Sequence, residues 1–180
     1  MMTETAKKYG GSLYELALEE SMDTEVLSQL KDVLSLLTED PQYIRLLSEP
    51  SIPKGERIAL LDEAFGDKIW PYLLNFMKIL CEKGYLGQLR GCMREYKRRY
   101  NEAHGIAEAT VTSARELTEA QKDALLKKLQ ALSGKTVDMT VYVNPALIGG
   151  LRLDMEGKRY DGSAKHRLDE LGSIIENTAM

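Results

Sequence analysis

The residues able to do chemistry are few and far apart. His104 and His166 lie 62 positions apart with no obvious partner, so a solvated or capping role fits them better than catalysis. Cys81 and Cys92 form no CxxC pair and have no histidine at zinc spacing, which reads as two reduced thiols on helices in a reducing compartment. Acid pairs occur at Glu19-Glu20, Asp62-Glu63 and Asp169-Glu170. Neighbours in a helix point about 100° apart, so these pairs form solvated faces rather than acid–base dyads. No phosphate-cradling GxGxxG or P-loop pattern is present, and Gly149-Gly150 alone does not make one. The run Tyr96-Lys97-Arg98-Arg99-Tyr100 joins basic and aromatic residues as a nucleic-acid or phosphate site would. Its spacing also suits an ion pair between Glu95 and Arg99 at i, i+4, with both tyrosines turned to the core, and that is the preferred reading. Neither a catalytic nor a metal or cofactor site is expected.

Composition agrees. The 180 residues carry 24 Lys+Arg against 28 Asp+Glu, a net charge of −4. Nucleic-acid binding would call for a basic face. The N-terminus, MMTETAKKYGG, lacks the apolar run of a signal peptide. The longest uncharged run in the first half, Ile69 to Met77, is far short of the roughly 20 residues that span a bilayer. Membrane association is therefore expected only through partners.

The elements that carry these residues follow from periodicity. Residues 4–21 predict a helix with Tyr9, Leu13, Leu16 and Ala17 on one side and Tyr14 and Leu18 on a second apolar strip. Gly10-Gly11 is awkward inside it, at about 1 kcal/mol per glycine. The simpler explanation is a frayed first turn; the sharper one is close approach of another helix. A second helix spans 23–38 on a Leu27, Leu30, Leu34, Leu37 seam, and Asp40-Pro41 opens a short third. Pro53 opens a fourth, ended by Gly66. Trp70-Pro71 opens a fifth, apolar nearly all round, with Leu73, Phe76, Met77 and Leu80 at i, i+3, i+4, i+7 and Ile69, Leu74 and Cys81 beside them. The sixth runs from about Leu86 to His104, with Gly87-x-x-x-Gly91 as a small-residue step.

At His104-Gly105 the pattern changes. Ala107, Ala109 and Val111 alternate with polar residues as a strand does; Thr118-x-x-Gln121 is a capping box for a helix ending at Gly134; Val137 to Val143 form a second strand. Leu151, Leu153 and Met155 lie on a third, Glu156-Gly157 suits a hairpin turn, and Asp161-Gly162 followed by Ser163 starts a last helix. The predicted fold class is α+β, mainly α: a six-helix bundle over residues 1–105 and a small mixed domain over 106–180. What remains unused is apolar surface on helices one and five, which fits either core packing or a groove for a partner helix.

Four stretches carry a family resemblance. YGGSLYELALEE is similar to the opening helix of the ATP synthase delta subunit family, with Tyr9, Leu13 and Ala17 matching and Gly10 and Gly11 departing from the usual pattern. LLNFMKILCEKGYL resembles its Asn-Phe-Leu helix at Asn75, Phe76 and Leu80; Tyr85 stands where Arg is common. VTSARELTEAQ resembles its linker and helix start. NPALIGGLRLDMEGKRYDGSAKHRLDEL resembles its C-terminal signature, with Asn144 where Asp is frequent and His166 in place of a small residue. The family includes the mitochondrial oligomycin-sensitivity-conferring protein.

The resemblance implies a non-catalytic stator of F-type ATP synthase, with no cofactor. Its bundle would bind the N-terminal helix of an alpha subunit, and its C-terminal domain the peripheral-stalk b subunits. It would sit on the cytoplasmic side of the cell membrane, held there by the complex during proton-driven ATP synthesis. Carried over, the groove would use Tyr9, Leu13 and Ala17 on helix one and Asn75, Phe76 and Leu80 on helix five, extended to Leu73 and Met77. Gly149, Gly150, Asp161, Gly162 and Ser163 would set the C-terminal fold. The alternative is an unrelated helical adaptor with a similar apolar groove; an enzyme with an unrecognised site would need convergent polar groups in a pocket.

Overall fold

The structure, a computed structural model, describes residues 3–147 and 150–161. The chain folds as two compact units, Met1–Tyr100 and Asn101–Met180.

In the first unit, α1 (Glu4–Glu19) starts where the Thr3 hydroxyl accepts from the Ala6 N–H. α2 (Asp23–Glu39) buries Val26, Leu27, Leu30, Val33 and Leu37 and leaves Leu34 half-buried. α3 (Pro41–Ser48) has Pro41 at its first position, and the Asp40 carboxylate accepts from the N–H groups of Gln42 and Tyr43. α4 (Lys54–Phe65) ends at Gly66. α5 (Pro71–Glu82) buries Leu73, Leu74, Phe76, Met77, Leu80 and Cys81. A single 3₁₀ turn, Leu86–Gln88, leads into α6 (Leu89–Ala103).

Gly10 and Gly11 overturn the frayed-turn expectation. α1 is helical from Glu4, and both glycines are buried. A Cβ on Gly10 would stand 2.9 Å from the Cys92 Cα and closer still to its carbonyl oxygen. A Cβ on Gly91 would stand 2.8 Å from the Ala6 Cβ. The two helices come close at this point, and that contact is the reason for Gly10 and Gly91, while at Gly11 the Arg99 guanidinium takes the space. Gly87, the other half of the small-residue step, faces open space.

In the second unit, β1 (Ile106–Ser113) is followed by α7 (Glu119–Ser133), whose capping box at Thr118 and Gln121 forms as expected. β2 (Thr136–Val143) returns parallel to β1, as a strand after a helical crossover must. β3 (Leu151–Met155) pairs antiparallel with β1, and β4 (Lys158–Asp161) with β3. The sheet order is β2-β1-β3-β4. Glu156 and Gly157 both take positive φ, 50° and 75°, the geometry of the tight hairpin expected there. Ala107, Ala109, Val111, Val137, Leu153 and Met155 share one core with Leu125 and Leu129 of α7. The last predicted helix, with Gly162 and Ser163, lies outside the described residues, as does Gly149. Gly150 precedes β3 with φ 83°, and Asp161 ends β4.

Candidate helix-docking site

The bundle core explains where the α1 and α5 side chains go. Ala6, Leu13, Tyr14 and Ala17 of α1 join Leu73, Leu74, Phe76, Met77, Leu80 and Cys81 of α5 in one apolar cluster. Of the residues predicted to line a groove, Leu13, Ala17, Leu73, Phe76, Met77 and Leu80 are therefore all buried, Phe76 being the most accessible at 7%. Tyr9 is half-buried and stacks edge-on against Tyr85, ring centres 6.1 Å apart. Asn75 is exposed. The apolar surface left outside belongs to residues that the carried-over set omits, Leu18 on α1 at 50% exposure and Tyr72 on α5 at 47%. Tyr72 packs on Trp70, centres 4.8 Å apart. Leu18 had a signal in the sequence, the second apolar strip. Tyr14 of that strip instead turns inward, edge-on to Tyr96 at 5.3 Å.

The crossing of α1 and α6 is locked by charge. Glu95 is almost wholly buried; Arg98 donates to it through Nε and Nη2 at 2.9 and 2.7 Å, and Arg99 through Nε at 3.0 Å. Arg99 Nη1 reaches across to Glu15 of α1 at 2.6 Å. Its guanidinium lies where a Gly11 side chain would stand. The Arg98 hydrogen bonds lead in pulling the Glu95 carboxyl down to about 2, against the opposing push of burial. The expected Glu95–Arg99 pair is thus present, and Tyr96 is fully buried, donating from its hydroxyl to the Asp23 carbonyl at 2.9 Å.

Other reactive groups are sequestered. Burial pushes the Cys92 thiol up to about 11 and also raises Cys81. The Cys81 thiol donates to the Leu47 carbonyl at 3.3 Å, and Arg57 Nη1 donates to the same oxygen at 3.1 Å. Two donors thus close the C-terminal end of α3, one of them cationic, as a helix dipole prefers. Among the described residues no group of three or more His, Cys, Asp or Glu could hold a metal ion. No described helix is long and apolar enough to cross a membrane. What the bundle offers is a surface for packing.

The model of the family described as ATP synthase delta (OSCP) subunit matches residues 5–175. The chain belongs to the ATP synthase delta (OSCP) subunit family. It is 34% identical over 170 residues to the ATP synthase subunit delta of Desulforamulus reducens, covering 94% of each chain. It is 30% identical over 176 residues to that of Prochlorococcus marinus, covering 97% of this chain and 98% of the relative. The fold is similar to a chain in the cryo-EM structure of the Toxoplasma gondii mitochondrial ATP synthase hexamer, with TM-score 0.75, 16% identity and coverage of 95% and 97%. The protein is thus a subunit of ATP synthase, a component of its peripheral stalk serving ATP synthesis and ion transport. An adaptor unrelated to ATP synthase is ruled out by the family match.

Proposed function

We propose that this chain is a non-catalytic stator that ties the alpha/beta head to the peripheral-stalk b subunits, so that the head does not turn with the rotor. The bundle docks the N-terminal helix of an alpha subunit on α1 and α5, and the second unit takes the b subunits. Membrane association, on the cytoplasmic side of the cell membrane, comes only through the complex.

The observation that carries this reading is the packing of α1 and α5. Leu13, Ala17, Leu73, Phe76, Met77 and Leu80 belong to the one buried core of the bundle. Leu18 of α1 and Tyr72 and Asn75 of α5 are exposed, while Tyr9, nine residues before Leu18 and so on the opposite side of α1, is half-buried. An amphipathic helix would seat its apolar stripe on Leu18 and Tyr72, with Asn75 beside Tyr72 and the buried core holding them rigid. Torque transmission needs such rigidity, and the glycine crossing supplies it to α1.

The test is a titration with a peptide of the alpha-subunit N-terminus from the same organism, followed by Trp70 fluorescence, which senses Tyr72 directly. A saturable change is expected, weakened at least tenfold by Leu18→Asp with Tyr72→Asp. Both positions are about half exposed, so the fold survives the change. Equal binding by wild type and the double variant would remove α1 and α5 as the site.

A further inference from the structure

We infer that Gln29 of α2 is a positioning residue for the docking site: it fixes the start of α5 and, through Trp70, the exposed ring of Tyr72. This role depends on the proposal that a partner helix docks on α1 and α5. Val26, Leu30 and Val33 stand at i, i+4 and i+7 on one apolar face of α2; Val26 and Leu30 are fully buried and Val33 is 1% exposed. Gln29 stands at i+3 of the same series, where a helix facing a core carries an apolar residue. Methionine, of the same length, would suit that stripe on packing grounds alone. The amide is half-buried there and needs a partner. Its Oε1 accepts from the backbone N–H of Trp70 at 2.8 Å, across 41 positions of sequence.

The bond falls where α5 lacks a cap of its own. Thr3 caps α1, Asp40 caps α3 and Thr118 caps α7, each with its own side-chain oxygen. Trp70, the residue before α5, makes no such bond. Its carbonyl accepts the first helical bond, from the Leu74 N–H at 3.0 Å. Pro71 keeps Trp70 extended, at φ −54° and ψ 131°. The proline on one side and Gln29 on the other thus set the Trp70 backbone. The Trp70 ring is half-buried against the bundle core. Tyr72 tilts onto it at 59°, ring centres 4.8 Å apart, and is 47% exposed. An aromatic ring held in place before the partner arrives loses less freedom on binding, and tyrosine beside tryptophan is the residue type that dominates such contacts.

The experiment compares wild type with Gln29→Met, which keeps the length and loses the acceptor, and Gln29→Glu, which keeps the acceptor. Each full chain is titrated by calorimetry with a peptide of the alpha-subunit N-terminus from the same organism. In the free chain, acrylamide quenching reads Trp70, the only tryptophan. Gln29→Met is expected to weaken peptide binding about fivefold and to raise the quenching constant about twofold. Gln29→Leu, a second variant without the acceptor, is expected to behave the same way. Gln29→Glu is expected to stay within about twofold of wild type in both readings. A purely structural role would move the urea midpoint and leave both readings of the folded chain unchanged; that result overturns the inference and leaves the docking site standing. Equal weakening by Gln29→Glu shows that the acceptor is not the cause and overturns it too, as does weaker binding with unchanged quenching. If wild type binds no peptide, the docking site falls and Gln29 loses its role with it.

Discussion

Replacing Gly10 by alanine separates two opposite physical expectations. In an exposed helix interior the change stabilises by about 1 kcal/mol through propensity alone. At this position the new methyl carbon would stand 2.9 Å from both the Cα and the carbonyl carbon of Cys92, and nearer still to the oxygen. These are backbone atoms of α6, which cannot rotate away as a flexible side chain would. Relief requires α1 to lift from α6 by a good part of an ångström. That also loosens Ala6 from Gly91 and lengthens the reach of Arg99 to Glu15. Overpacking of this kind costs typically 1–3 kcal/mol. We therefore expect Gly10→Ala to destabilise the bundle by about 1–2 kcal/mol net. Urea denaturation followed by helical circular dichroism measures it. Gly55→Ala is the control: Gly55 sits in the first turn of α4 with nothing within 4 Å of its Cβ position. There the expected change is a gain of about 0.4–1 kcal/mol. A Gly10→Ala protein as stable as wild type, or more so, would refute the crossing.

Three further outcomes follow from the buried groups. Glu95 is held at about 2 against an ordinary 4.5, so its stabilisation is present above about pH 4.5 and is lost as pH falls through about 2. The stability gap between wild type and Glu95→Gln should shrink by about 3 kcal/mol over that window, and a gap unchanged between pH 5 and 2 would count against the network. Cys81 and Cys92 should resist Ellman's reagent at pH 8 in the folded protein and both react in urea; fast labelling of either in the native state would contradict their burial. Arg57→Met should cost about 1–3 kcal/mol in urea denaturation, since it leaves the buried Leu47 carbonyl with the weak thiol donor of Cys81; no loss would show that the arginine does not close α3.

Local chemistry was the legible part of this chain. The hairpin at Glu156-Gly157, the capping box at Thr118 and the proline at the start of α3 each depend on residues within a few positions. The order of β1, α7 and β2 was readable from alternation and the capping box, whereas the parallel pairing of the two strands needed the structure. Gly10 and Gly11 left a frayed turn and close approach of another helix both open, because what decides between them lies more than 80 residues away, in the α6 backbone at Cys92 and in Arg99. Periodicity reports that α5 has a wide apolar surface but not what covers it. Leu73, Met77 and Leu80 turn out to be covered by the bundle itself, which leaves Leu18 and Tyr72 at the surface. The Glu95–Arg99 pair was readable from i, i+4 spacing, whereas its extension to Glu15 needed the crossing.

The central claim is that the chain couples two parts of ATP synthase without doing chemistry itself. The most direct measurement uses membrane vesicles carrying ATP synthase depleted of this subunit, with ATP hydrolysis and ATP-driven ion pumping recorded together. Adding the chain is expected to restore pumping, while the chain alone hydrolyses no ATP. Hydrolysis by the isolated chain, or pumping that stays absent after the chain has bound, would contradict the account.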